Sequence, residues 1–401
     1  KNHSTMKTIQ DVNLQGKKVL VRVDFNVPFD KQGNISDDTR IQEALPTINK
    51  LIKDGASVIL MAHLGRPKKG GFEPEFTLKP VAEYLSKLIN QEVVFTQSLL
   101  GEEVSNLCKN LKAGQVMLLE NIRFYKEETK GDVEFAKQLA ALGDAYVNDA
   151  FGAAHREHAS TATIAQFFPQ DKYFGLLMAR EVENLNKLMN NHEKPFTAVI
   201  GGSKISSKIG ILESLLNIVD NLVIGGGMRY TFYKALGHSI GDSLCEDDKI
   251  DVAKSLMQKA KEQGVKLYLP EDSIIADDFS ENANIKYVDT MDIPEKWQGM
   301  DIGEKSVKTY CDVVLSSKTI LWNGPMGVFE MKKFAAGTNA IAKAVAEATD
   351  KGAFSAIGGG DSVDAIKGSG YSDRVSYIST GGGAMLEFLE GKVLPGIKAI
   401  E

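Results

Sequence analysis

Short runs of β-branched and apolar residues alternate along the chain with longer stretches whose apolar residues recur every three or four positions. The short runs predict buried strands and the longer stretches predict amphipathic helices. The predicted strands are Val19–Val23, Val58–Ala62, Val116–Leu119, Ala145–Val147, Phe196–Ile200, Leu222–Ile224, Lys266–Leu269, Ile320–Trp322, Phe354–Ile357 and Val375–Ile378. This alternation predicts an α/β fold with two doubly wound, Rossmann-like parallel-sheet domains joined by a helix and hinge.

A change of pattern near the middle of the chain predicts where the two domains meet. Leu176–Met189 has the spacing of one amphipathic helix, and a polar segment that ends at Pro195 follows it. A new apolar strand begins at once, so we expect the helix to connect the domains. The predicted organisation is a first domain over 6–175, a helix and hinge over 176–194, a second domain over 195–386 and a tail over 387–401.

Composition and charge narrow the class of protein. The chain has 401 residues, with 47 Lys and Arg against 53 Asp and Glu, a net charge of −6. This weak acidity argues against a generic nucleic-acid or membrane-surface binder, and no apolar run approaches the ~18 residues of a membrane span. The three cysteines are far apart, which argues against a disulfide framework or a thiolate zinc cluster. Without a signal-peptide pattern we expect a cytoplasmic protein, and residues 1–5 are set aside as an expression remnant.

Glycines cluster directly after the strands of the second half. The loops are Gly201-Gly202-Ser203-Lys204, Gly225-Gly226-Gly227, Asn323-Gly324-Pro325-Met326-Gly327, Gly358-Gly359-Gly360-Asp361 and Gly381-Gly382-Gly383. A single loop of this kind is adequately explained as a tight turn. Five at one sheet edge favour a nucleotide site, because glycine lets backbone N–H groups approach phosphate at helix N-termini. Neither a P-loop nor a G-x-G-x-x-G dinucleotide signature occurs.

Charged residues in these loops are candidate phosphate and metal ligands. Lys204 and Lys208 are four residues apart, which on a helix would place both ammonium groups on one face near a polyphosphate. Solvated surface lysines are the alternative. Asp361 offers a hard oxygen for Mg²⁺; the alternative interpretation is a helix N-cap, a role that could coexist with metal binding.

Arginines are concentrated in the first half, near predicted strand ends. Six of the eight lie there, among them Arg40, Arg66, Arg123 and Arg156. The planar guanidinium binds phosphate or carboxylate through two parallel hydrogen bonds, so these residues favour a pocket for a small anion. Surface ion pairs are the alternative interpretation.

Two weaker signals suggest other chemistry. His155 and His158 could share a metal ion, but Arg156 between them would repel a dication. Gly237–Gly241 matches G-x-S-x-G, yet a nucleophile elbow needs a preceding strand, and a helical stretch precedes this one.

The motifs taken together resemble the phosphoglycerate kinase family over nearly the whole chain. The motifs that carry the resemblance are Val21-Arg22-Val23-Asp24-Phe25-Asn26-Val27-Pro28, His63-Leu64-Gly65-Arg66-Pro67, Glu120-Asn121-Ile122-Arg123-Phe124, Asn148-Asp149-Ala150-Phe151-Gly152, His155-Arg156, Gly201-Gly202-Ser203-Lys204, Trp322-Asn323-Gly324-Pro325-Met326-Gly327 and Gly358-Gly359-Gly360-Asp361. The resemblance implies a monomeric glycolytic enzyme that interconverts 3-phosphoglycerate and 1,3-bisphosphoglycerate with ATP/ADP and Mg²⁺, and a C-terminal tail that returns to the first domain.

The resemblance also implies roles for individual residues. Phosphoglycerate would be bound in the first domain by Asp24, Phe25, Asn26, Arg40, His63, Leu64, Gly65, Arg66, Arg123 and Arg156. The nucleotide would be bound by Gly202, Lys208, Gly226, Gly299, Asn323, Glu330, Gly359, Gly360, Asp361 and Ser362, with Glu330 on the ribose, Asp361 on Mg²⁺, and Gly202, Gly226, Gly299 and Met300 around the base. The transferring phosphoryl group would be surrounded by Arg40, Lys204, Lys208 and the Gly381-Gly382-Gly383 turn, with Gly382 and Gly383 among the catalytic residues.

Four positions depart from the family pattern. Ser362 stands where threonine is usual, Arg229 where a small residue is common, Met300 where leucine is usual and Met385 where serine is usual. The alternatives from other classes are a nucleotide-dependent ligase or dehydrogenase on a similar sheet, and a two-domain anion-binding protein of periplasmic type.

Overall fold

The computed structural model describes residues 6–401, so the proposed expression remnant at residues 1–5 lies outside the described residues. The chain forms two compact units. The first runs to Glu183 and also includes Val393–Glu401, and the second is Asn184–Lys392.

The first unit is built on a six-stranded parallel sheet. Its strands are β1 (Lys18–Arg22), β2 (Ser57–Met61), β3 (Val93–Phe95), β4 (Val116–Leu118), β5 (Ala145–Asn148) and β6 (Lys172–Phe174). Their order is β3-β4-β2-β1-β5-β6, and every pairing is parallel. The connecting helices are α1 (Thr39–Lys53), α2 (Lys79–Leu88), α3 (Glu102–Lys109), α4 (Lys126–Lys130) and α5 (Val133–Ala140). The apolar face of α2, with Val81 and Leu85 fully buried, packs on this sheet as its spacing predicts.

The long helix α6 (Leu176–Asn190) follows β6, and the division between the units falls within it. Asp149 anchors its start, because Oδ1 accepts a hydrogen bond from the backbone N–H of Met178 at 3.1 Å. The short C-terminal helix α14 (Pro395–Lys398) lies in the first unit, where Gly396 N donates to the carbonyl of Ala154 at 2.8 Å.

The second unit contains a second six-stranded parallel sheet. Its strands are β7 (Phe196–Ile200), β8 (Asn221–Ile224), β9 (Lys266–Tyr268), β13 (Thr319–Asn323), β14 (Phe354–Ile357) and β15 (Tyr377–Ile378). Its helices are α7 (Ile209–Leu215), α8 (Arg229–Ala235), α9 (Ile250–Glu262), α10 (Glu304–Leu315), α11 (Ala336–Asp350), α12 (Gly360–Gly368) and α13 (Gly383–Leu389). The strand order is β15-β14-β13-β7-β8-β9. The predicted α/β class with two parallel sheets is therefore confirmed.

A small antiparallel sheet in the second unit was not predicted. It consists of β10 (Ser273–Ala276), β11 (Ile285–Val288) and β12 (Gln298–Ile302), in the order β11-β10-β12. The outer strand β11 is mostly exposed, and β12 begins with the polar residues Gln298 and Gly299. Because neither strand has a continuous apolar run, the pattern used to find buried parallel strands could not detect them.

The topology marks one position in each sheet where ligands collect. In the second sheet the chain moves outward from β7 to β9 and then outward in the other direction from β13 to β15. The strand order therefore reverses between β7 and β13. In the first sheet it reverses between β1 and β5. Ligands of open parallel sheets bind at the carboxyl ends of the strands at such a reversal.

Candidate functional site

The carboxyl end of β1 brings three of the predicted anion-binding residues together. Arg40 Nη1 donates to the carbonyl of Asn26 at 2.6 Å and lies 3.5 Å from Asp24 Oδ1. The side-chain oxygen of Asn26 accepts the N–H of Gly65 at 2.9 Å, which joins the loops after β1 and β2. The Arg40 side chain is 42% exposed, so its guanidinium remains accessible to a ligand.

His63 is held in one tautomer by an arginine that was absent from the predicted site. The side chain of Arg22 is completely buried, and its Nη2 lies 2.9 Å from Nδ1 of His63. Because a guanidinium has only donors, Nδ1 must accept, and the ring proton is therefore on Nε2. Burial lowers the pKa of His63 well below its usual value, and the charges of Arg22 and Arg123 lower it further. His63 is thus a neutral N–H donor at physiological pH.

A buried carboxylate balances Arg22. Arg22 Nε donates to Ser160 Oγ at 2.8 Å, and that hydroxyl donates to Glu128 Oε2 at 2.6 Å. Glu128 is completely buried, and its other carboxylate oxygen accepts the N–H of Ser160 at 2.8 Å. The sequence signal for this network is an arginine inside the predicted strand Val19–Val23, whose other residues are all apolar. A charge in such a run needs a specific partner.

Positive charge is concentrated around this network. Burial, reinforced by the charge of Arg22, lowers the pKa of Arg123 to about 10. Burial, with the charges of Arg123 and Arg22, lowers the pKa of His158 to about 4. Burial disfavours these charged forms most and the neighbouring cations add to the effect, so an anion bound here would relieve the repulsion between them. Arg66 contributes to the same field at Arg123, and Arg156 contributes to it at His158.

Two of the predicted substrate contacts have side chains in the core. Phe25 is completely buried and Leu64 is 4% exposed, and both pack in the hydrophobic core under the sheet. Only their main-chain groups are therefore available to a ligand. The carbonyl of Leu64 already accepts from Asn121 Nδ2 at 2.8 Å, which fixes the loop after β2.

In the second unit, the ends of β7 and β13 touch through glycine. A Cβ on Gly201 would lie 2.0 Å from the carbonyl oxygen of Pro325, and one on Gly324 would lie 2.3 Å from that of Gly201. Gly324 also has a φ of +104°, a backbone angle that residues other than glycine rarely adopt. The two loops at the reversal of strand order can approach this closely only because both carry glycine.

Lys208 lies at this junction. Its Nζ is hydrogen-bonded to Asn323 Oδ1, and Asn323 Nδ2 donates to the carbonyl of Gly358 at 2.9 Å. Burial lowers the pKa of Lys208 to about 8, against the opposing attraction of Asp361. Three of the predicted glycine loops therefore meet around one ammonium group.

The geometry predicted for the two lysines is wrong. Lys204 has extended backbone angles, a 3-10 turn occupies Ile205–Ser207, and α7 begins only at Ile209. The two ammonium groups therefore do not lie a turn apart on one helix face. The residues between them form the loop that follows β7, and Lys204 is exposed there whereas Lys208 is half-buried.

The start of α12 places Asp361 and Ser362 differently. Gly359, with a φ of +91°, is the N-cap, so the interpretation of Asp361 as an N-cap is wrong. Asp361 lies in the first turn and is exposed. The Ser362 hydroxyl is buried and accepts the N–H of Gly324 at 2.6 Å, which ties α12 to the loop after β13. An exposed carboxylate beside three glycine loops suits a hard cation such as Mg²⁺.

The predicted base-binding glycines lie on two loops and one strand. A Cβ on Gly226 would lie 2.4 Å from the carbonyl oxygen of Gly202, so these two loops are in main-chain contact. Gly299 is in β12 of the small sheet, and its N–H donates to Ser243 Oγ at 2.9 Å. Met300 is 2% exposed, and its carbonyl accepts the N–H of Val328 at 2.8 Å.

The remaining predicted residues lie beside these loops. Gly382 has a φ of +48° and is the N-cap of α13, which begins at Gly383. Glu330 is exposed in the segment that follows β13.

The phosphoglycerate kinase family model matches residues 9–392. The chain belongs to the phosphoglycerate kinase family. It is 55% identical over 394 residues to cytosolic phosphoglycerate kinase 3 of Arabidopsis thaliana. It is 54% identical over 394 residues to the cytosolic phosphoglycerate kinase of Triticum aestivum. Each of these alignments covers 98% of this chain and 98% of the relative. The phosphoglycerate kinase structure from Coxiella burnetii matches with a TM-score of 0.90 and 44% identity over 98% of each chain.

These matches confirm the predicted family and its activity, a kinase that transfers a phosphoryl group to a carboxyl group. The ligase, dehydrogenase and periplasmic binding-protein alternatives are accordingly set aside. In the described part of the chain, no helix is both long and apolar enough to cross a membrane.

The weaker signals do not form sites of their own. Ser239 follows a helix and not a strand, as the residue pattern before it predicts, and its Oγ lies 3.3 Å from Asp292 Oδ1. His238 Nδ1 contacts the same carboxylate oxygen at 3.2 Å, so the arrangement is not a Ser–His–Asp relay. Within residues 6–401 no group of three or more His, Cys, Asp or Glu side chains could hold a metal ion.

Proposed function

We propose that this chain catalyses the reversible, Mg²⁺-dependent transfer of a phosphoryl group between ATP and 3-phosphoglycerate, giving ADP and 1,3-bisphosphoglycerate. The observation that carries the proposal is the family match over residues 9–392 together with two distinct sites of the required chemistry. One unit presents a cluster of cations at the carboxyl ends of its strands. The other presents glycine loops around a half-buried lysine.

The phosphoglycerate is proposed to bind in the first unit. Its phosphate and carboxylate would accept hydrogen bonds from His63 Nε2 and from the arginines of the cluster. Asp24, Asn26 and Gly65 would orient the molecule, since they are already joined to Arg40 and to one another by hydrogen bonds. Phe25 and Leu64 would contribute main-chain contacts only. The full set is Asp24, Phe25, Asn26, Arg40, His63, Leu64, Gly65, Arg66, Arg123 and Arg156.

The nucleotide is proposed to bind in the second unit, at the reversal between β7 and β13. The base would lie against Gly202, Gly226 and Gly299, and the ribose against Glu330. Lys208, Asn323 and the first turn of α12 (Gly359, Gly360, Ser362) would surround the phosphates. Asp361 would hold Mg²⁺, which supplies charge neutralisation along the phosphate chain.

The mechanism requires no protein base. The attacking carboxylate has a pKa of about 4 and is ionised at neutral pH. Catalysis therefore depends on in-line positioning and on stabilising negative charge on the equatorial oxygens of the transferring group. Arg40, Lys204, Lys208 and the N–H groups of Gly382 and Gly383 are proposed to supply that stabilisation. This explains why the candidate residues are cations and glycines.

We propose further that residues 6–175 and 195–386 are the two substrate-binding domains, and that bending within 176–194 excludes water during transfer. The names of the Arabidopsis and wheat relatives support a cytosolic location, and we propose a monomer that acts on small molecules without nucleic acid or membrane.

The deciding test is an assay of the purified chain with 3-phosphoglycerate, Mg²⁺ and ATP, coupled to consumption of 1,3-bisphosphoglycerate. We expect turnover that requires all three components. Replacing Arg40 by alanine should lower kcat by about 10³-fold, because a charge-stabilising arginine typically contributes that much to phosphoryl transfer.

Arg374 provides the matched control. Its side chain is 41% exposed, close to the 42% of Arg40, but it pairs with Asp350 on the surface. Arg374→Ala should leave kcat unchanged. Turnover by Arg40→Ala at the rate of the unaltered chain would contradict the proposed role.

A further inference from the structure

Helix α8 begins with an arginine that is completely buried. Arg229 Nη2 donates to the carbonyl oxygen of Asp301 at 2.9 Å and to the hydroxyl of Tyr230 at 2.8 Å. Its Cζ lies 4.8 Å from the centre of the Tyr230 ring. Nε and Nη1 are also buried, and neither has a hydrogen-bond partner within residues 6–401.

Arg229 connects the elements on which the base is proposed to bind. Helix α8 follows the Gly225-Gly226-Gly227 loop directly, and the N–H of Arg229 donates to the carbonyl of Gly226 at 3.3 Å. The acceptor Asp301 is in β12, two residues after Gly299. Arg229 therefore joins the two elements, since its backbone N–H bonds to the glycine loop and its guanidinium bonds to the strand.

Tyr230 transmits the contact to Gly299. A Cβ on Gly299 would lie 1.9 Å from the Tyr230 hydroxyl, so that hydroxyl packs against the bare main chain of β12. Arg229 fixes the position of the hydroxyl by hydrogen bonding to it. Gly299 is only partly buried, so part of it is accessible to a ligand.

Stability alone is a poor explanation for this arrangement. Removing a guanidinium from water is costly, and the cost is recovered only where its donors are satisfied. The carboxyl group of Asp301 is occupied by main chain, since it accepts the N–H groups of Ile302 at 2.8 Å and Gly337 at 2.9 Å. Asp301 and the rings of Tyr230 and Tyr233 attract the charge of Arg229, but two of its buried nitrogens still have no acceptor within residues 6–401. We attribute this arrangement to a requirement for a defined spacing.

We propose that Arg229 is a positioning residue for the nucleotide, which acts through Tyr230 to set the distance between the Gly225-Gly226-Gly227 loop and Gly299 and so the affinity for the base. This inference rests on the proposed function of the second unit.

The test compares binding of MgADP with binding of inorganic tripolyphosphate, which has the phosphates but no base. For Arg229→Ala we expect the Kd of MgADP, measured by calorimetry, to rise about tenfold, as loss of hydrogen bonds from a charged donor would produce. Two other constants should stay within about twofold of their values in the unaltered chain: the inhibition constant of tripolyphosphate and the Michaelis constant for the phosphoglycerate substrate. A positioning effect on the base leaves the phosphate and carboxylate contacts intact. Arg229→Lys, which retains a positive charge on a single donor nitrogen, should recover part of the affinity.

A double-mutant cycle tests whether Tyr230 carries the effect. Tyr230→Phe removes only the hydroxyl, so the losses of MgADP affinity in Arg229→Ala and Tyr230→Phe should be far from additive when combined. Tyr233→Phe is the matched control, since its buried hydroxyl is one turn further along α8 and bonds to the carbonyl of Pro270. That variant should bind MgADP normally.

Equal weakening of MgADP and tripolyphosphate would overturn the inference, as would additive effects in the cycle or an unchanged Kd in Arg229→Ala. These outcomes are distinct from failure of the proposed function, in which the unaltered chain would show no turnover with 3-phosphoglycerate and ATP. A folded variant that has merely lost stability would change the active fraction, not the ratio of the two binding constants.

Discussion

Arginines in this chain serve two different purposes, and the two kinds differ in how deeply the side chain is buried. Arg40, in the first turn of α1, is 42% exposed and is held by a carbonyl and a carboxylate of the loop after β1, so it can contact a ligand. Arg22 is completely buried and orients His63, while Glu128 balances its charge through Ser160. Counting arginines near strand ends identified the first kind. The second kind could be recognised only from its partners, which lie about 40 and 140 residues away in the sequence.

Lysine behaves differently because it can lose its proton. Lys208 is bound to Asn323, and burial lowers its pKa to about 8. A group with a depressed pKa of this kind is cationic below pH 8 and neutral above it. Since the cationic form attracts phosphate, we predict that the affinity for MgADP falls as pH rises through about 8, approaching tenfold per pH unit above that value.

Calorimetry between pH 7.5 and 9.5 measures this dependence. Lys208→Arg is the matched variant, because a guanidinium stays protonated throughout that range. Its Kd for MgADP should be nearly independent of pH there, whatever its absolute value. The same steep rise in Kd for both forms would assign the titration to another group.

At the scale of elements, the sequence pattern located most strands of the two parallel sheets. It missed the edge strands β3 and β6 of the first sheet and the whole antiparallel sheet of β10, β11 and β12. β2 and β7 are buried along their whole length, and their uninterrupted apolar runs identified them. β11 and β12 lie on either side of β10 in a sheet whose β11 edge is exposed, and their residues resemble loop sequence. The failure to predict β12 matters for the site, because Gly299 is in this strand. Its neighbours Tyr230 and Ser243 belong to other segments, and spacing along the chain does not reveal such contacts.

The start of α6 depends on a carboxyl group whose pKa is raised. Asp149 is buried, which raises its pKa to about 7, and Oδ2 has no hydrogen-bond partner within residues 6–401. Between about pH 4 and 7 the folded chain therefore holds a proton that the unfolded chain has lost. The contribution of this group to the free energy of unfolding is therefore full below about pH 4, and it is lost as the pH rises to about 7.

We predict that Asp149→Asn, which keeps the acceptor for the Met178 N–H but cannot ionise, removes this decline. The free energy of unfolding of the variant relative to the unaltered chain should increase from pH 5 to pH 8, as measured by urea denaturation. Asp350→Asn, at an exposed surface pair, is the control and should show no such trend. A difference between variant and parent that stays constant with pH would contradict the argument.

At the scale of the whole molecule, the first unit is completed by the last nine residues, which follow the second unit in the chain. Leu394, Ile397 and Ile400 are buried, and Asn148 Nδ2 donates to the carbonyl of Gly396 at 3.2 Å. Lys172 Nζ donates to the carbonyl of Ala399 at 2.8 Å. The segment therefore contacts the last residue of β5 and the first residue of β6, so its loss should affect these strands before any other part of the molecule.

Ending the chain at Lys392 tests this directly by native-state hydrogen exchange. We expect faster exchange of the backbone amides of β5 and β6, because removing three buried apolar side chains and the acceptors of two donors lowers the free energy of local opening. The amides of β14 in the second unit should exchange at the rate of the full chain. Lys398→Ala, which alters an exposed side chain of the same segment, should leave all of these rates unchanged. Acceleration in β14 equal to that in β5 would show that the segment stabilises the chain as one cooperative body, and the assignment of its effect to the first unit would then be wrong.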